Sequence, residues 1–177
     1  ETGATYEFIS NVPQPPPGIP VTIAGIDRPG NFITDSDAGA QLSAMAGGWD
    51  LTFNYLYQYD DIPVLYRTIT NGPGGAAIAV NPTYERTHVL GGSFSNAFGD
   101  LTLRGEYAYK VGKRYSVGGP ADPDGVVKTD EIDYVVGLDW FGFSETFLSF
   151  QYFQSVLTDD ASGLLRDRVE NNITFLV

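Results

Sequence analysis

His88 is the sole histidine of this chain and cysteine is absent, so few residues are equipped for chemistry. A Ser-His-Asp triad or a paired-histidine metal site would have to centre on His88, and no partner motif accompanies it. A polar residue near a strand end is the simpler reading. Neither a Gly-x-Ser-x-Gly elbow nor a phosphate loop nor a dinucleotide fingerprint occurs. Without cysteine there are no disulfides, thiolate ligands or cysteine nucleophiles. Carboxylates are plentiful, 22 Asp and Glu against 10 Lys and Arg, but in sequence an acid/base pair looks the same as a charged wall. Asp122-Pro123-Asp124-Gly125, with Asp130 beyond it, offers oxygen ligands for a candidate Ca²⁺ site at Asp122, Asp124 and Asp130. It lacks full EF-hand spacing, and Asp-Pro-Asp-Gly is equally an ordinary turn. The run Pro15-Pro16-Pro17 reads as a stiff loop before it reads as a groove ligand. This inventory points away from an enzyme and calls for no cofactor.

What the sequence carries clearly is alternation. From Asp100 to Gly112, Leu101, Leu103, Tyr107, Tyr109 and Val111 are apolar or aromatic, while Thr102, Arg104, Glu106 and Lys110 are polar. A period of two is a strand with two unlike faces. Similar phrases start at Trp49-Asp50-Leu51 and Ser144-Glu145-Thr146, and aligning Asp50, Asp100 and Glu145 gives spacings of 50 and 45 residues. Each repeat is then a strand pair with a long connection, the unit of an up-and-down barrel. With 177 residues, 14% aromatics and no amphipathic helical window, the chain reads as one all-β domain.

The reading places short turns near 47–49, 96–99 and 141–144, and long loops over 11–37, 71–82, 118–126 and 158–163. Strands are expected at Thr5 to Ser10 (short), Ala38 to Ala46, Trp49 to about Thr70 with a bend at Pro63, Thr83 to Ser95, Asp100 to about Tyr115, Asp130 to Trp140, Glu145 to Val156 and Arg168 to Val177. Short turns alternating with long polar loops are the habit of outer-membrane barrels. Aromatics sort by height too. Trp49, Phe98, Trp140, Phe141 and Phe143 gather at the short-turn end, and Tyr59, Tyr66, Tyr84, Tyr109 and Tyr115 toward the long loops, as two interfacial girdles would. No apolar run is long enough for a membrane helix, but barrel strands need only ~9–11 residues each.

The expected fold is therefore an antiparallel up-and-down transmembrane β-barrel, of which this chain forms a segment of about eight strands from a larger barrel. Asp50, Asn54, Arg104, Glu106, Lys110, Asp133, Asp139, Gln151, Arg168 and Glu170 fall on the polar parity and are expected to face the lumen. Leu103, Tyr107, Tyr134, Leu138, Phe150 and Tyr152 fall on the other and are expected to face lipid. In a soluble barrel the polar set would instead be the solvated outside. The net charge of −12, with its basic residues dispersed, leaves no cationic stripe for nucleic acid.

Phe98-Gly99-Asp100-Leu101-Thr102-Leu103-Arg104-Gly105-Glu106, Tyr134-Val135-Val136-Gly137-Leu138-Asp139-Trp140 and Phe147-Leu148-Ser149-Phe150-Gln151-Tyr152-Phe153 resemble the large proteobacterial outer-membrane β-barrels grouped as domain of unknown function 1302. The resemblance spans roughly Ala38 to Val177. It implies a bacterial outer-membrane location, contact with outer-membrane lipid and lipopolysaccharide, and further strands from the same barrel or another chain. The family's company with lipid-exporter-like inner-membrane proteins implies traffic in hydrophobic molecules. It identifies no functional residues. The leading expectation is a porin-like or transporter-like barrel that passes small or hydrophobic molecules. One alternative is a plugged structural or adhesin-like barrel whose extracellular loops bind a partner, and another is a soluble ligand-binding β-barrel.

Overall fold

The structure is a computed structural model, and it describes residues 18–26, 28–31, 33–118, 122–144, 146–159 and 162–177. The strand expected at Thr5 to Ser10 and the proline run lie outside these residues. Among the described residues all regular structure is strand: β1 (Val21–Ile23), β2 (Ala38–Ala46), β3 (Trp49–Tyr59), β4 (Val64–Gly72), β5 (Gly75–Thr83), β6 (Arg86–Phe98), β7 (Leu101–Ser116), β8 (Val126–Phe143), β9 (Thr146–Leu157) and β10 (Val169–Leu176).

Seven strands form one sheet in the order β10-β9-β8-β7-β6-β3-β2, every neighbouring pair antiparallel. Short turns join its strands at one end. Gly47, Gly48 and Gly99 adopt positive φ there, a conformation that costs glycine least. The sheet is open: β10 pairs only with β9 and β2 only with β3. The expected closure into a barrel is thus not seen within the described strands.

Two other expectations change. The strand drawn from Trp49 to Thr70 is two strands, because Pro63 lacks a donor for the ladder and the chain bends over Asp61 and Ile62 before it. The loop drawn at 71–82 is most of a hairpin, in which β4 and β5 pair from Gly72↔Gly75 to Val64↔Thr83 around Pro73-Gly74. Pro82 is tolerated because β1, which pairs in parallel with β5 over Ile78 to Val80, stops short of it. This three-stranded sheet stands at the long-loop end, where Arg67 N–H donates to the Asp124 carbonyl (2.7 Å) and Leu65 N–H to the Ser116 hydroxyl (3.4 Å).

Between Lys110 and Lys113 the β7–β8 register slips by one residue at a bulge, with Gly112 at φ 62°. Asp130 holds it, accepting from the Gly112 N–H at 2.6 Å and from the Tyr109 hydroxyl. The extra residue reverses the parity above it. Lys113 and Tyr115 therefore turn onto the face of Lys110, so Tyr115, expected by its height in the long-loop girdle, stands on the polar face.

The buried apolar residues Val64, Leu65, Val80, Val117 and Leu157 all lie at the long-loop end. Along the rest of the seven-stranded sheet no second layer covers the apolar face among the described residues, and Phe53 (55% exposed), Leu90, Tyr107, Val136, Leu138 and Phe150 are open. Glycines let aromatics lie flat there. The Phe94 ring covers Gly105 and the Tyr107 ring covers Gly92, each where a Cβ would collide with it.

Candidate functional site

Register sorts the expected residues without exception among those in strands. One row across the sheet reads Asp50↔Ser95↔Arg104↔Gly137↔Gln151↔Thr174. The next rows toward the long loops carry Glu106, then Asn54, Asp133 and Glu170, then Lys110 with Glu131. Asp139 shares this face, and Arg168 precedes β10, donating to the carbonyls of Leu157 and Thr158. Leu103, Tyr107, Tyr134, Leu138, Phe150 and Tyr152 occupy the opposite face.

Two charge clusters tie the polar face together. In the lower one Arg104 grips Asp139 through Nε (2.8 Å) and Nη2 (3.2 Å), and the Ser149 hydroxyl donates to the same carboxylate at 2.6 Å. The Arg104 stem fills the space above Gly137, where a Cβ would meet it at 3.2 Å. An ion pair across β7 and β8 and a hydroxyl from β9 therefore tie three strands together, which suits a surface wetted on one side.

The upper cluster centres on Glu131, whose side chain is 4% exposed. Its carboxylate receives Lys110 Nζ (2.9 Å), Lys113 Nζ (3.5 Å), Arg166 Nη1 (2.6 Å) and the Ser155 hydroxyl (2.9 Å). Lys110 also reaches Asp133 at 2.5 Å, Lys113 reaches Asp60 at 3.3 Å, and Arg166 reaches Glu170 at 3.1 Å. The Tyr115 ring lies under Lys113 and Arg166, at 5.3 and 5.6 Å from centroid to cation. A carboxylate so withdrawn from water stays charged only if its lone pairs are filled, and here four donors fill them. Alternation foreshadowed Glu131, two residues from Asp133. Lys113 and Tyr115 were hidden by the bulge, and Arg166 by its position in a loop.

Two hollows open on this face. One, about 230 Å³, is bounded by Asp50, Ser93, Ser95, Arg104, Glu106 and Gln151. The other, about 370 Å³, is lined in part by Glu106, Asp133, Phe153, Ser155 and Glu170.

The candidate Ca²⁺ ligands are not brought together. Asp130 is engaged at the bulge, and among the described residues no group of three or more His, Asp or Glu side chains is placed to hold a metal ion. Asp122 and Asp124 share a hydrogen bond that raises the pKa of Asp122 and lowers that of Asp124. Arg67 donates to the Asp122 carbonyl at 2.6 Å. The loop is fastened by this arginine and reads as an ordinary turn.

On the apolar face His88 serves structure. It stacks on Tyr57 (centroids 4.7 Å) and its Nδ1 hydrogen-bonds the Tyr55 hydroxyl at 2.8 Å. The hydroxyls of Tyr134 and Tyr152 engage Gln154 and Asn171 at 2.6 and 2.7 Å. Rings with tethered polar tips suit a boundary between apolar and wet surroundings.

The family described as Protein of unknown function (DUF1302) matches residues 4–175. No curated protein matches, and no solved structure matches. The match covers nearly the whole chain, which belongs to this family.

Proposed function

With that membership as premise, we propose that the seven-stranded sheet is part of the wall of an outer-membrane β-barrel that passes small molecules along its charged face. One observation carries the reading: the apolar face is left uncovered, while on the charged face side chains pair across strands and bury one carboxylate, Glu131, among cations. A soluble sheet buries its apolar face against a second layer, and an exposed patch beyond a few hundred Å² calls for a partner. Lipid is a partner that fits a belt of Leu, Val, Phe and Tyr edged by tethered aromatics. Water in a lumen suits Arg104–Asp139 and the cluster around Glu131.

Strand direction supports a larger ring. Seven antiparallel strands leave β2 and β10 running the same way, so they would meet in parallel. A second copy inserted in the same sense would also bring β2 to β10 in parallel. An all-antiparallel ring therefore takes an odd number of additional strands, giving an even total. Such strands also satisfy the open edges, which hydrocarbon does not tolerate.

A plugged barrel is the second reading. It is favoured by the fastening of the long-loop end, where Arg67 holds the 122–125 turn to the β4–β5 hairpin. Full-length protein reconstituted in liposomes and tested for swelling in small neutral and charged solutes separates the two. Solute uptake above protein-free vesicles is expected, and vesicles that stay tight to every solute would overturn passage and favour the plug.

A further inference from the structure

Residues 162–168 of the β9–β10 connection do not project freely. They lie back past β8 toward β7, where Leu164 pairs with Val117 in an antiparallel bridge and the Gly118 N–H donates to the Gly163 carbonyl at 2.6 Å. On the way to β10 they set Arg166 onto the polar face. That guanidinium uses Nη1 on Glu131, Nη2 on Ser155 (2.9 Å) and Glu170 (3.1 Å), and Nε on the Asp167 carbonyl (3.3 Å). Glu131, Ser155 and Glu170 sit on three adjacent strands, so one loop side chain spans β8, β9 and β10. Lys110 and Lys113 already face Glu131 from β7. Arg166 is the cation of this cluster that comes from a loop rather than from β7, and its contacts to three strands point to a positional role.

We infer that the 162–168 segment is a constriction folded across the lumen end of the wall, and that Arg166 is the latch that holds it there. The inference rests on the passage reading. A loop pinned across the polar face narrows the path next to Glu106, Asp133 and Phe153, and releasing it widens that path without changing the wall. The latch is a planar fork with several simultaneous acceptors, a geometry that lysine does not reproduce.

Two variants of the full-length protein test this. Arg166→Gln removes the charge and most of the fork. The double variant Val117→Cys, Leu164→Cys places a thiol pair at the bridge, where oxidation fixes the loop inward and reductant frees it. In liposome swelling, Arg166→Gln is expected to speed uptake of small solutes by about threefold or more, with the largest gain for the bulkiest solute that passes. The oxidised cysteine pair is expected to hold uptake at or below the wild-type rate, and to cancel the gain when combined with Arg166→Gln. Wild-type uptake that neither variant changes would overturn the latch and leave passage standing. No uptake by wild type or by either variant would overturn passage and the latch together. Heat-resistant migration in mild detergent, measured for every variant, distinguishes a released loop from an unfolded wall.

Discussion

The two faces of the seven-stranded sheet are built on opposite rules. On the polar face, side chains satisfy one another: Arg104 with Asp139 and Ser149, Glu131 with Lys110, Lys113, Arg166 and Ser155. On the apolar face, Leu138 (40% exposed), Phe150 and Ile173 touch neighbours within the sheet and are otherwise open. The same strands supply both, since each successive residue changes sides. Glu131 is buried among charges while Leu138 and Phe150 stand open, an arrangement unlike a soluble core.

Breaking the polar face at its centre should have the largest effect. Glu131→Gln replaces the buried carboxylate shared by Lys110, Lys113 and Arg166 with a neutral amide, and a loss of about 3–5 kcal/mol is expected in urea unfolding from lipid vesicles. A loss below that of an ordinary surface substitution would mean that the cluster is solvated and that the contrast between faces is weaker than described.

Arginine scanning compares the faces directly. Leu138→Arg should cost about 2–4 kcal/mol if that position meets hydrocarbon. Gln151→Arg, on the row that already holds Arg104 and Asp50, should escape that penalty. Equal costs in the same bilayer assay would remove the distinction. Asp139 is unsuitable as the polar-face control, because its carboxylate binds Arg104 and Ser149.

A smaller effect is expected where aromatics lie on bare backbone. Gly105→Ala sets a methyl against the Phe94 ring and the Val135 carbonyl and should cost about 1–3 kcal/mol, whereas alanine at Gly74, which meets nothing, should be near neutral. Thermal melts in detergent resolve the two.

Least costly is a titration outside both faces. Tyr66, in the β4–β5 hairpin, donates to Glu85 at 2.6 Å, and Glu85 also pairs with Arg114 at 2.8 Å. Burial first and Glu85 second push its phenol up to about 12. A folded pKa above the unfolded value stabilises the hairpin fully below the ordinary tyrosine range near 10. That contribution is lost as pH rises from there through about 12. An absorbance titration comparing wild type with Tyr66→Phe should lose one late-titrating phenol. Loss of an ordinary one would place Tyr66 in free solvent.

Alternation made the faces of β7, β8 and β9 legible, and Gly47-Gly48 and Gly99 marked short turns. Three features were not legible, each for a physical reason. The bulge at Gly112 needs one extra residue, and nothing in Val111-Gly112-Lys113 distinguishes it from a continuing strand, so unbroken alternation would put Tyr115 on the face opposite Lys110. The turn and β5 half of the β4–β5 hairpin, residues 71–82, is written largely in Ala, Asn, Pro and Gly, which read as loop, and its strand pairing comes from β4 and β1. The tie from Arg166 to Glu131 joins residues 35 apart through a loop without periodicity, and only the tertiary fold brings them together.

The most direct test of the account is the environment of alternate residues along β7. Single spin labels at Leu101, Leu103 and Tyr107, and at Thr102, Glu106 and Ala108, would be read in liposomes for collision with dissolved oxygen and with a water-soluble nickel complex. The first three are expected to favour oxygen and the second three nickel, with a period of two along the strand. Equal access of the nickel complex to both sets, or oxygen preference on the side of Glu106, would contradict it.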